Sequence, residues 1–171
     1  MATRDPVQVH LLRHAHAGNP DSWSGPDAAR PLSAKGEHQA VRLGRFLAEV
    51  AFEPDAIITS PKVRAARTAE IVAEALGCEV REDERLGREF DLVTVEAILF
   101  DAGEPLKPVL VGHDPDFSDL VATLCATPRI PMRKGAFARI DVERPLAPGG
   151  GTLRWLIAPD LLMGRRQAGS A

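Results

Sequence analysis

The sequence predicts an α/β fold, a single domain with a mixed, mostly parallel sheet flanked by helices on both faces. Three observations predict it. Short apolar runs alternate with longer segments of helical periodicity. Capping residues bound the helical segments. The last two apolar runs are joined by a Pro/Gly-rich turn, which adds an antiparallel edge.

Val7 to Leu12 is the first buried strand, ending at Arg13-His14. A loop follows, through Gly18-Asn19-Pro20 and Ser24-Gly25-Pro26 to Arg30-Pro31. Ser33 caps the next helix, which should bury Ala40, Val41, Leu43, Gly44, Leu47 and Val50 and expose His38, Arg42, Arg45 and Glu49. Ala56 to Thr59 is a second strand. Ser60-Pro61 then reads as an N-cap with proline in the first turn of a helix that runs to Leu76 and stops at Gly77.

A short strand is expected over Cys78 to Arg81, and a helix over Leu92 to Ala102. Pro108 to Gly112 is apolar throughout, as a strand covered on both faces should be. Asp114-Pro115 repeats the cap-plus-proline pattern, and its helix extends to about Cys125. Ala136 to Val142 and Thr152 to Ala158 complete the strands, and the polar tail from Pro159 should fray. No repeat or linker divides the chain, so residues 1–171 read as one domain with its core at about 7–158.

Composition narrows the function. Apolar residues are 44% and charged residues 26%, as in ordinary globular proteins, and the net charge is −3. No bulk attraction to nucleic acid or anionic membrane is expected, and any basic site must be a local cluster. Lysine occurs only at Lys35, Lys62, Lys107 and Lys134. Cys78 and Cys125 lack metal or redox spacing and read as buried small hydrophobes. No apolar signal region follows the charged N-terminus, and no apolar run is long enough to span a membrane, so the expected location is the cytoplasm.

Ligands of open α/β sheets bind beyond the C-terminal strand ends. Three strands end in suggestive chemistry: Arg13-His14, Ser60-Pro61 with Arg64 one turn on, and Gly112-His113. If these strands are neighbours, two histidines and two arginines converge. Helical side chains lean toward the helix N-terminus, so Arg64 reaches back to the strand ends. Helix N-termini add a field that favours an anion. The set suits a phosphoryl group.

Leu11-Leu12-Arg13-His14-Ala15, Arg30-Pro31-Leu32-Ser33, Ser60-Pro61-Lys62-Val63-Arg64-Ala65 and Val111-Gly112-His113 resemble the successive motifs of the histidine phosphatase superfamily. The short length and the Arg-Pro-Leu-Ser segment resemble its compact bacterial phosphohistidine phosphatases of the SixA type. The resemblance implies that His14 is the nucleophile of a metal-independent phosphatase. Arg13, Arg64 and His113 would hold the phosphoryl oxygens, and Arg30 would be a further phosphate contact. No cofactor is implied.

Two departures from the family pattern stand out. Ala15 replaces a frequent glycine. No residue matches the carboxylic acid that ester-cleaving relatives use, although Glu84, Glu89 and Asp91 are candidates. A phosphoramidate needs that acid less, which favours phosphohistidine on a protein as substrate. A small phosphate ester is the alternative.

Other readings stay open. His14-x-His16 with His113 and Asp114 would fit a metal-dependent hydrolase, at the cost of leaving Arg13 and Arg64 without a role. A non-catalytic phospho-ligand module on the same fold is a third reading. His10 is expected to pack within its strand, and His38 and Arg67 to be solvated.

Overall fold

The computed structural model describes residues 6–163. Its strands are β1 (Val7–Arg13), β2 (Ala56–Thr59), β3 (Val80–Glu82), β4 (Pro108–Gly112), β5 (Phe137–Val142) and β6 (Gly151–Ile157). Its helices are α1 (Ala34–Glu49), α2 (Val63–Leu76), α3 (Leu92–Asp101) and α4 (Asp116–Cys125). The strands form one sheet in the order β3-β2-β4-β1-β5-β6. β1, β2, β3 and β4 pair in parallel, while β5 and β6 add the antiparallel edge. The fold class is the expected one.

Alternation along the strands divides the core between the two faces. Leu11, Ile58 and Leu110 pack with Val95, Leu99, Phe117 and Val121 from α3 and α4. Leu12, Ile57, Val109 and Val111 pack with Leu43, Leu47, Ala69 and Val72 from α1 and α2. β4 is buried at every residue, which accounts for its unbroken apolar run. Each large side chain that is fully buried contributes about 1.5–3 kcal/mol, so Phe117 and Phe137 are major anchors of the two layers.

Several local expectations shift. Val50 lies one residue past α1 and is 56% exposed, because the chain turns away before its side chain can meet the core. Cys78 and Cys125 are free and only half-buried. Helix α2 starts later than expected, with Lys62 at its N-cap position and no side-chain cap. Helix α4 likewise starts after Pro115, although Asp114 Oδ1 still accepts from Ser118 N–H at 3.2 Å. Pro159–Leu162 forms a short 3-10 turn with Pro159 buried, so the expected fraying does not begin there. The remainder of the expected tail lies outside the described residues. Among the described residues no helix is long and apolar enough to cross a membrane.

Candidate active site

The strand order places β4 between β2 and β1, so all three suggestive strand ends are neighbours. Backbone bonds lace them together. His14 N–H donates to Gly112 O at 2.9 Å, and Ser60 N–H donates to Val111 O at 2.9 Å. His14 and Ser60 therefore flank the end of β4, where His113 continues the chain. The His14 and His113 rings lie 5.2 Å apart between centroids.

His14 is 4% exposed. Its Nδ1 lies 2.8 Å from Ala15 O. A carbonyl only accepts, so Nδ1 carries the ring proton and Nε2 keeps its lone pair. Ala15, whose carbonyl holds the ring, is anchored in turn. Ala15 N–H donates to Thr68 Oγ1 at 3.1 Å, and the Thr68 hydroxyl donates to Arg64 O at 2.7 Å. The nucleophile candidate and the helix carrying Arg64 thus share one hydrogen-bonded chain. Burial pushes the His14 pKa down to about 3, opposed by the Ala15 carbonyl and assisted by Arg64, Arg13 and Lys134. The imidazole is neutral at ordinary pH in the free protein.

His113 Nε2 lies 2.8 Å from Ser60 Oγ. Ser60 Oγ also accepts from Lys62 N–H at 3.3 Å; with the Ser60 hydroxyl proton turned toward Nε2, the His113 ring proton sits on Nδ1. That Nδ1 is buried without a partner among the described residues, a donor left free for an incoming oxygen. Burial, then His14, Lys62 and Arg64, lowers the His113 pKa to about 3, with Asp27 opposing.

The arginines are braced rather than loose. Arg64 is 5% exposed; its Nη1 donates to Asp27 O at 2.7 Å and its Nη2 to Asp27 Oδ2 at 2.8 Å. Arg30 Nη1 donates to Ala17 O at 2.8 Å and Nε to Asp27 Oδ1 at 3.2 Å. One carboxylate therefore ties both guanidiniums to the long loop. Burial works to raise the Asp27 pKa, but the hydrogen bonds from Arg64 and Arg30 outweigh it and hold the carboxyl below its ordinary range. Arg13 Nη1 donates to Met132 O and lies 3.8 Å from Asp114 Oδ2. The Nε atoms of Arg13 and Arg64 are buried without partners among the described residues.

Arg13, His14, Arg30, Arg64 and His113 all line one cleft of about 420 Å³. Lys62, Arg88 and Lys134 line it too, so the local basic cluster expected of an acidic chain exists here. Of the three candidate acids only Glu89 lines this cleft, joined by Asp116. Asp91 instead caps α3, accepting from Thr94 N–H at 2.8 Å. Glu84 lies in a short 3-10 turn before α3 and does not line the cleft. His16 is turned aside, with Nδ1 2.7 Å from Ser33 Oγ, and does not line the cleft either. Among the described residues no group of three or more His, Cys, Asp or Glu side chains is placed to hold a metal ion.

A family model for the histidine phosphatase superfamily (branch 1) matches residues 9–108. The chain belongs to this superfamily. Among solved structures, the protein histidine phosphatase SixA complexed with tungstate superposes with a TM-score of 0.77 at 26% identity, over 92% of this chain and 100% of that one. The alpha-ribazole phosphatase of Shigella flexneri superposes with a TM-score of 0.72 at 20% identity, covering 90% of this chain and 97% of that one, a likeness of fold. A protein named probable phosphoglycerate mutase GpmB, from Salmonella choleraesuis (strain SC-B67), is 38% identical over 91 residues. That match spans 53% of this chain and 41% of the relative, so less than half the length of this curated relative is represented.

Sequence reasoning missed Asp116 and Lys134 on the cleft wall, and Asp27 and Ser60 as the partners of Arg64 and His113. Asp27 had a readable signal, an acid three residues before Arg30 in a turn. Ser60 was read as a helix cap, and the late start of α2 frees it for His113.

Proposed function

We propose that this chain is a phosphatase that works through a phosphohistidine at His14, and that its substrate is phosphohistidine on a protein. The observation that carries the reading is the His14 Nε2 lone pair, fixed by the Nδ1 bond to Ala15 O, in a cleft lined by Arg13, Arg64 and His113. Nε2 attacks phosphorus as the bond to the leaving group breaks. The guanidiniums and the His113 Nδ1 proton neutralise the equatorial oxygens. Water then attacks the phosphohistidine, releases inorganic phosphate and returns His14 to its neutral form. Solvent supplies the water and the proton that leaves on the substrate nitrogen, and the remaining groups are the chain's own.

Likeness to SixA along 92% of the chain supports the protein substrate. So does the leaving-group chemistry, since an imidazole nitrogen is protonated before the P–N bond breaks. A small phosphomonoester is the second reading, and one observation favours it: Glu89 and Asp116 stand on the cleft wall. Burial, then Glu89 and Asp119, raises the Asp116 pKa, which suits a proton donor.

A substrate series separates the two. Phosphohistidine protein and aryl phosphates with acidic phenols should be cleaved well, and alkyl phosphates poorly. Glu89→Gln should change phosphohistidine turnover by less than about tenfold. Abolished turnover in this variant, or an alkyl phosphate as best substrate, would replace the protein reading with the small-molecule one.

A further inference from the structure

We propose that Lys134 is a further phosphoryl-binding residue, whose ammonium contacts the transferring group beside Arg13 and Arg64. The inference rests on the phosphatase reading above and deepens it. No motif singles Lys134 out, and it lies in the connection between α4 and β5.

The backbone puts it there. Gly135 N–H lies 3.1 Å from Arg13 O and 3.0 Å from His14 O. Arg13 N–H donates to Ala136 O at 3.1 Å. The residues after Lys134 are therefore pinned to the main chain of the nucleophile itself. Gly135 has φ +80°, a conformation that glycine adopts without strain. The tight turn delivers the Lys134 side chain to the cleft that His14, Arg64 and His113 line.

The charge arrangement gives the ammonium a task. Arg13, Arg30 and Arg64 each lean on a carboxylate, Asp114 for the first and Asp27 for the other two. Lys134 has no such partner among the described residues. It is half-buried, and burial, then the like charge of Arg13, Arg30 and Arg64, lowers its pKa. Holding a fourth cation among three others opposes folding unless an anion joins them. A compact ammonium also complements the planar guanidinium forks, since it can follow an oxygen as the phosphoryl group moves toward His14.

The experiment compares Lys134→Gln and Lys134→Arg in the full chain, with His14→Ala in parallel. Turnover of an aryl phosphate, tungstate affinity and melting temperature are read for each. Lys134→Gln should lower kcat/KM by ~10²-fold, as loss of one transition-state donor does. It should also weaken tungstate binding by about tenfold or more, the loss expected when one charge-assisted hydrogen bond goes. Lys134→Arg should recover most of both, and the melting temperature of Lys134→Gln without ligand should hold or rise, since a repelled charge is gone. Wild-type kinetics and tungstate affinity in Lys134→Gln would overturn the proposal. So would equal losses in both variants accompanied by a lower melting temperature, which would make the residue structural. An active His14→Ala would instead sink the phosphatase reading, and the tungstate arm would still decide whether Lys134 binds an oxyanion.

Discussion

His10 and His14 lie on one face of the same stretch of chain, 1% and 4% exposed, and they differ in what encloses them. Both hold Nδ1 near a carbonyl oxygen, Pro108 O at 3.2 Å for His10 and Ala15 O at 2.8 Å for His14. Burial depresses both, His10 to about 4 and His14 to about 3. Around His10, however, stand the rings of Phe52, Phe137 and Trp155, with centroids 4.9, 5.6 and 5.8 Å away. Around His14 stand Arg13, Arg64 and Lys134, with open space beyond. Burial and a depressed pKa are common to both and mark neither as a catalyst. The distinction lies in the neighbours: aromatic rings fill the volume around one histidine, and cationic side chains line a cleft beside the other.

Replacing each histidine in turn is the strongest way to break this comparison. His14→Ala should cost several orders of magnitude in turnover while the fold persists, whereas His10→Gln should leave turnover near wild type and lower the melting temperature. Rapid quenching of the wild type should trap an alkali-stable, acid-labile phosphate on His14. A label on another residue would remove the contrast altogether.

The charge half of the contrast rests on Arg64. Arg64→Lys keeps the charge but loses the fork that bonds Asp27 through two nitrogens. Turnover should fall by ~10²-fold, near the lower end of the cost of losing one transition-state donor. Unchanged kinetics would mean that Asp27, and not substrate, is the only anion this guanidinium serves.

The third effect is on stability and concerns pH. Burial lowers the His10 pKa from 6.5 to about 4, so the unfolded chain binds a proton there more readily than the folded one. Stability is then complete above pH ~6.5 and declines as pH falls toward 4, by about 3 kcal/mol for this residue. His14 and His113 act in the same direction over a wider acid range. Melting temperatures across this window should fall with acidification, and His10→Gln should flatten the slope by one proton. An unaltered slope would place the acid sensitivity elsewhere.

Much of this was legible because it is written in contiguous residues. Arg13-His14 and Gly112-His113 follow apolar runs directly, and both strands landed where those runs placed them. What the sequence hid depends on pairs without a local pattern. Arg64 and Asp27 are 37 residues apart, and only the folded loop joins them. Lys134 precedes a strand whose pairing with β1, and hence whose closeness to His14, is a property of the sheet order. Val50 continued a helical stripe, but the helix ended before the stripe reached the core. Cys78 and Cys125 sit where an element ends and partial exposure follows.

The loop that carries Asp27 and Arg30 is closed at its base, and Asp27 ties its middle to Arg64. Ser33 N–H donates to His16 O at 3.0 Å, and the Ser33 hydroxyl donates to the same oxygen at 3.1 Å. At Gly36, one turn into α1, an added Cβ would stand 2.0 Å from that oxygen, so no larger residue fits while this neck stays closed. Everything between the two strands of the neck is tethered at both ends independently of its own length. Doubling such a loop costs only about 0.6 kcal/mol in closure entropy. Evolution can therefore lengthen or shorten the stretches on either side of Asp27 and Arg30 with little penalty to the fold, because His14 is held by β4 and Thr68 and not by the loop. The neck makes those flanking stretches exchangeable: His14 stays with the sheet, Asp27 and Arg30 keep their bonds to the core, and the choice of what enters the cleft can drift with the rest of the loop.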